Sequence, residues 1–292
     1  MPWRPPPKQA TMSPMAHTTI PGARAETLEV AGLKTHLIRA GAGEPVILLH
    51  GLGASSYSWR FAFLELSRHY EVFAPDLPGF GRTDKPRDFD YSIAGLHRWV
   101  VALMDKLGLE KARFAGNSMG GVITLWMAMD AGHRVERMAL LGTPGYPENR
   151  PKLLWPLSWP VIGRVYEWAL GEKTLRYMAR TTFVDQTKVT EELIAEYLAP
   201  LKTKEGRRAV AEFVRRAIPP DFQARIASYP TLNHRALVLS GDSDRMVDRR
   251  GSERLSRDLP RARFVYLERC GHAPQEDAPD RVIPLLRDFF AE

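Results

Sequence analysis

The chemistry-bearing residues of this chain begin with a serine between two glycines, Gly116-Asn117-Ser118-Met119-Gly120, followed by Gly121. The segment lies between a short apolar run, ARFAGN, and a stretch with helical character, MGGVITLWMAMDAG. A serine held at a sharp strand-to-helix turn has its hydroxyl lifted clear of the backbone at a helix N-terminus, where the peptide dipoles favour developing negative charge. Glycines two residues either side are needed because side chains there would collide with neighbouring elements. The chemistry this setting suits is nucleophilic attack on a carbonyl carbon. A serine nucleophile needs a base and an orienting acid. His272 follows the strand-like ARFVYLE and an exit loop, while His97 and His133 sit in helical stretches, His69 ends one, and His17 and His36 come early. For the acid, Asp242 and Asp244 both follow the strand-like ALVLS, and either could instead cap the loop. Met119, the residue after the serine, supplies one backbone N–H for an oxyanion hole.

Alternating elements must position these groups. TLEVAGLKTHLIRAG reads as a hairpin turning at Ala31-Gly32, and PVILLHG as a strand buried on both faces. SYSWRFAFLELSRH is helix-like, YEVFAPDLPG is strand then loop, and Ile93, Leu96, Val100, Leu103 and Leu107 fall at helical spacing. VERMALLGTPG, ALVLSGD and ARFVYLE are further strands, with a short helix SERLSRDLP between the last two. The final segment, DRVIPLLRDFFAE, is an amphipathic helix expected to be interrupted at Pro284. Strands alternating with helices predict an α/β fold with a mostly parallel central sheet flanked by helices. From Tyr146 to about Tyr229 the rhythm is helical throughout, and this stretch is expected to form a helical cap over the C-terminal edge of the sheet. The expected organisation is an N-terminal extension over 1–24, a core over 25–145 and 230–292, and a cap over 146–229.

Four motifs in order resemble the α/β-hydrolase superfamily: His50-Gly51-Leu52-Gly53, Asp76-Leu77-Pro78-Gly79-Phe80-Gly81, GNSMGG, and the late pair Gly241-Asp242-Ser243-Asp244 with Gly271-His272. The resemblance covers roughly 27–292 apart from the cap. It implies the order nucleophile, acid, histidine, and it favours Asp244, with Asp242 in reserve. It adds Leu52 as the second oxyanion-hole N–H beside Met119. It makes His50 an orienting loop residue, and Gly116 and Gly120 supports of the serine turn. The implied enzyme is a serine hydrolase acting on carboxylic esters of small to medium acyl chain, in which Ser118 forms an acyl-enzyme. GNSMGG and GDSDR are also similar to the carbon–carbon hydrolases of ring-cleavage dienones. Those usually carry a tryptophan after the histidine, where this chain has Ala273. A receptor that binds a small ligand without turnover is the alternative outside enzymology. Trp155, Trp159 and Phe183 are candidates for an apolar substrate pocket.

The remaining composition sets limits. The chain has 292 residues, enough for one sizeable core, with 44% hydrophobic and 26% charged residues. Its net charge of +7 is spread among acids, as in RDLPRARFVYLER, so no nucleic-acid stripe stands out. No metal-ligand spacing, phosphate loop or dinucleotide fingerprint occurs, and no cofactor is implied. One cysteine, Cys270, permits no intrachain disulfide. With no signal-peptide core and no apolar run long enough to span a membrane, a cytoplasmic location is expected. The oligomeric state is not legible in the sequence.

Overall fold

In the computed structural model the described residues are 22–149, 159, 167 and 169–292. The expected extension over 1–24 therefore lies almost wholly outside them, as does Trp155. Eight strands form one sheet: β1 (Arg24–Val30), β2 (Leu33–Ala40), β3 (Pro45–Leu49), β4 (Glu71–Pro75), β5 (Ala112–Asn117), β6 (Val135–Leu141), β7 (Arg235–Gly241) and β8 (Ala262–Leu267). Their order is β1-β2-β4-β3-β5-β6-β7-β8. The first hairpin and the β2–β4 pair are antiparallel, and every pair from β4 to β8 is parallel. The hairpin turns at Ala31-Gly32, both at positive φ (49° and 78°), which matches the twist of the flanking strands.

The apolar run of β3 and the wholly buried β5 lie at the centre, covered on both faces as their unbroken hydrophobicity requires. One face carries α2 (Ile93–Leu107) and α3 (Met119–Asp130), with Trp99, Leu103 and Trp126 in its core. The other carries α1 (Arg60–Leu66) and the C-terminal helix, with Trp59, Phe63, Leu286 and Phe290. Ser92 caps α2 by accepting from the Gly95 N–H at 3.1 Å, and Gly108 ends the helix at φ 69°.

Between β6 and β7 the described chain is helical: α4 (Glu172–Thr182), α5 (Glu191–Leu201), α6 (Lys204–Arg216) and α7 (Phe222–Ala227). Leu175, Leu193, Phe213 and Phe222 of these helices share one buried cluster with α2, α3 and the sheet. Arg225 on α7 stacks on Trp126 at 3.7 Å and donates to Asp130, and Arg82 forms a two-pronged pair with Glu196 on α5. After β7 come α8 (Arg249–Asp258), then, beyond β8, α9 (Pro274–Asp277) and α10 (Pro279–Ala291). Helix α10 runs through Pro284 and is not interrupted there. The lost backbone bond is outweighed by burial of Val282, Leu286, Phe289 and Phe290 on the inner stripe. No helix among the described residues is long and apolar enough to cross a membrane.

Candidate active site

Ser118 stands between the end of β5 and the start of α3 with φ 52° and ψ −115°, in the left-handed region that a serine rarely adopts. Neighbouring contacts impose this backbone. The Ser118 N–H donates to the Leu141 carbonyl at the end of β6 (2.9 Å), and its own carbonyl accepts from Gly121 and Val122. A Cβ on Gly116 would lie 2.4 Å from the Gly120 carbonyl carbon, and one on Gly120 would lie 2.2 Å from the Leu49 carbonyl oxygen. Both glycines are therefore fixed by backbone packing.

His272 lies in the loop after β8 and is 7% exposed. Its Nδ1 is 2.9 Å from Asp244 Oδ2. A carboxylate only accepts, so Nδ1 is the nitrogen that carries the proton of this contact. Asp244 Oδ1 accepts from the backbone of Met246 (2.8 Å) and Val247 (2.9 Å), which locks the carboxylate with one oxygen left for the histidine. Asp242 points elsewhere. Its Oδ1 accepts from the Ser243 hydroxyl and the Cys270 N–H; against the opposing effect of burial, the Arg269 backbone and then these two bonds hold its carboxyl below the usual range. Between the two aspartates that the sequence offered, Asp244 is the histidine's partner.

Residues without a sequence signature join these pieces. Asn117, just before the serine, donates from Nδ2 to the carbonyls of Leu141 (3.1 Å) and His272 (3.0 Å). Asp277 accepts at Oδ2 from Gly271 N–H (2.6 Å) and Val184 N–H (3.0 Å), and at Oδ1 from Asp185 N–H (3.1 Å). The histidine loop is thus tied both to the serine turn and to the end of α4.

The loop after β3 borders the serine, since a Cβ on Gly51 would lie 3.3 Å from Ser118 Cβ. Leu52 and Met119 both line the cavity over Ser118. Met119 opens α3, so its N–H has no acceptor within the helix. His50 is fully buried. It donates from Nδ1 to the Gly51 carbonyl and accepts at Nε2 from the Leu77 N–H (2.9 Å), an arrangement that needs the neutral ring. Burial pushes its pKa down, with Asp76 opposing. It orients two loops and does not face the serine as a second base. Burial likewise pushes the Cys270 thiol up to about 12, so this buried sulfur stays a thiol.

Ser118 and His272 open into one cavity, walled by Leu175, Phe183, Leu193, Phe213 and Phe222 of the inserted segment and by Met119, Met178 and Met246. Phe183 lies in the wall as the sequence suggests. Trp159 is 53% exposed and is not among the described lining residues. Glu276 and Tyr197 also reach the wall, and neither carries a local sequence signature. Among the described residues, no group of three or more histidine, cysteine or acidic side chains is arranged to hold a metal.

A strand order with an antiparallel start and a parallel remainder, a strained serine after β5 and a histidine–aspartate pair after β8 and β7 define the class. The chain belongs to the α/β hydrolase fold family, whose pattern matches residues 44–279. Among its relatives is the 2-hydroxy-6-oxo-2,4-heptadienoate hydrolase of Pseudomonas putida (strain F1), 30% identical over 270 residues, which are 89% of this chain and 94% of that protein. Among solved structures, the 2-hydroxy-6-oxo-6-phenylhexa-2,4-dienoate hydrolase from Rhodococcus sp. strain RHA1 superposes with a TM-score of 0.80 at 28% identity, covering 92% of this chain and 99% of the other. A bacterial membrane phospholipase A is also similar, with a TM-score of 0.75 at 26% identity over 93% and 87% of the two chains. The chain is a hydrolase by this relationship.

Proposed function

We propose that Ser118, His272 and Asp244 are a catalytic triad that cleaves carboxylic esters of small to medium apolar acyl groups. In this reading His272 Nε2 takes the hydroxyl proton as Ser118 Oγ attacks the carbonyl carbon. Asp244 holds the ring tautomer and stabilises the imidazolium. The backbone N–H groups of Leu52 and Met119 receive the oxyanion. The leaving alcohol departs with the proton from His272, and water activated by the same nitrogen then releases the acid and restores Ser118. Residues 146–229 act as the cap that supplies most of the cavity wall.

The observation that carries the ester reading is the chemistry of that wall. Among the described lining residues there is no lysine or arginine, and the side chains are overwhelmingly aliphatic, aromatic or thioether. A neutral acyl ester needs no counter-ion there.

A second reading has relatedness in its favour. Several relatives are named as hydrolases of hydroxy-oxo-dienoates, which undergo carbon–carbon cleavage. Their names support a ring-cleavage dienone better than the ester expected from the sequence. A dienoate carries a carboxylate, however, and the described wall offers it no cation; Ala273 also stands where those enzymes usually have tryptophan.

The test is a parallel assay of p-nitrophenyl esters of graded chain length and of a dienoate, using the wild type and Ser118→Ala. Ester turnover that drops by about three orders of magnitude or more in the variant supports the ester reading. Serine-dependent turnover of the dienoate alone transfers the function to carbon–carbon hydrolysis. Ligand binding without turnover of either would make the protein a receptor.

A further inference from the structure

Glu276 is the one acidic side chain among the described residues of a largely apolar cavity wall, and it is 2% exposed. It lies on α9, four residues after His272. Its carboxylate pairs with Arg60, and both of its oxygens lie 3.0 Å from the Tyr197 hydroxyl, which comes from α5. Arg60 is not among the described lining residues, and its guanidinium lies 4.3 Å from the ring centres of both Tyr57 and Phe61. The ion pair is neutral as a whole, yet it turns its negative end toward the ligand space. Tyr197 adds nothing positive there, because its one proton is committed to Glu276. The Glu276–Tyr197 part of the wall therefore offers acceptors only.

We propose that Glu276 is a specificity-determining residue that excludes anionic substrates and admits neutral acyl groups, including those bearing a hydroxyl able to donate to the carboxylate or to Tyr197. The proposal rests on the ester reading of the site and sharpens it. The cavity takes neutral esters and rejects half-esters of dicarboxylic acids. A charge brought against a buried carboxylate has no water to screen it, and such like-charge contacts are a common device for rejecting a wrong partner.

The test is binding, so that it does not depend on turnover. In a Ser118→Ala background, calorimetry compares p-nitrophenyl pentanoate with the mono-p-nitrophenyl ester of glutaric acid. The two share leaving group and chain length and differ in a terminal carboxylate. The expected gap is a dissociation constant at least about tenfold weaker for the anionic ligand. Adding Glu276→Gln should close most of that gap. Adding Tyr197→Phe, which keeps the carboxylate, should preserve it, and thermal melts confirm that each protein is folded. An equal gap with and without Glu276 overturns the proposal, as does loss of the gap in both variants or failure of the cavity to bind either ligand. The hydrolase reading fails separately: if the discrimination is present but the Ser118-containing protein turns over neither compound, the cavity is selective and the chemistry is not ester hydrolysis.

Discussion

The backbone N–H of His272 donates to the carbonyl of Thr182 at 2.8 Å, so the histidine of the site hangs from the last turn of a helix in the inserted segment. A substitution on either side of this contact is felt by the ring that shares the cavity wall with Ser118.

Asp277 holds the same junction from below. Its carboxylate accepts from three backbone N–H groups, two of them in the segment after α4. Asparagine would present an amide donor to groups that themselves donate. Asp277→Asn is expected to cost about 1–3 kcal/mol, the usual penalty for leaving buried polar groups unsatisfied. It should also lower kcat more than it raises KM. Urea unfolding and steady-state kinetics on the same preparation check both, and an unchanged midpoint would remove Asp277 from this role.

The turn at Ser118 stores backbone strain. Residues held in sparsely populated backbone regions cost on the order of 1–3 kcal/mol. Ser118→Gly should raise the unfolding free energy by about 1 kcal/mol while abolishing activity, because glycine adopts this φ freely. Ser118→Ala should abolish activity without that gain. Equal midpoints for the two variants in a chemical denaturation series would mean that the turn is not strained.

Gly120 admits no side chain, since its Cβ would meet the Leu49 carbonyl at 2.2 Å. The clash is with backbone at the centre of the sheet and no rotamer relieves it. Gly120→Ala is expected to destabilise by about 3 kcal/mol or more, at the severe end for single substitutions. The readout is soluble yield together with the melting temperature, and a protein that melts like wild type would contradict the packing described.

Stability should fall on mild acidification. Burial lowers the pKa of His50 and of His97 below the ordinary 6.5. The unfolded chain therefore takes up protons that the folded chain refuses. The resulting stability is fully present above pH 6.5 and is lost as pH falls through the lowered folded values. Glu276 runs the other way: its pKa is raised mainly by burial, so its contribution is complete below its ordinary value and is lost as pH rises. A His50→Gln comparison separates the two. The wild type should melt lower at pH 5.5 than at pH 7.5, and the variant should show a flatter dependence. A variant with an undiminished slope would mean that His50 is not the source.

The parts of this fold that were legible in the sequence are those where local sterics leave one choice. Gly116 and Gly120 announce the serine turn because nothing larger fits, and unbroken apolar runs mark β3 and β5 as central strands. The choice between Asp242 and Asp244 needed the resemblance, since both follow the same strand, and only the hydrogen bonds from Met246 and Val247 show how the second is aimed. Asn117, Asp277 and Glu276 escaped for a different reason. Their partners are backbone groups or side chains far along the chain, such as Tyr197, 79 residues before Glu276, and such bonds leave no local pattern. Helix α10 passes through Pro284 because the burial that outweighs one missing bond is supplied by the rest of the protein.

The methionines in the cavity wall carry a liability of their own. The only thiol, Cys270, is buried and stays protonated, so it is poorly placed to react with an oxidant. Met119, Met178 and Met246 instead border the space that a ligand must enter, and Met178 and Met246 are only half-buried. A small peroxide that follows the ligand's route passes their thioethers. Conversion to sulfoxide turns an apolar, pliable wall into a polar one. The protein would then lose its fit for apolar ligands while its sheet and its thiol remained intact.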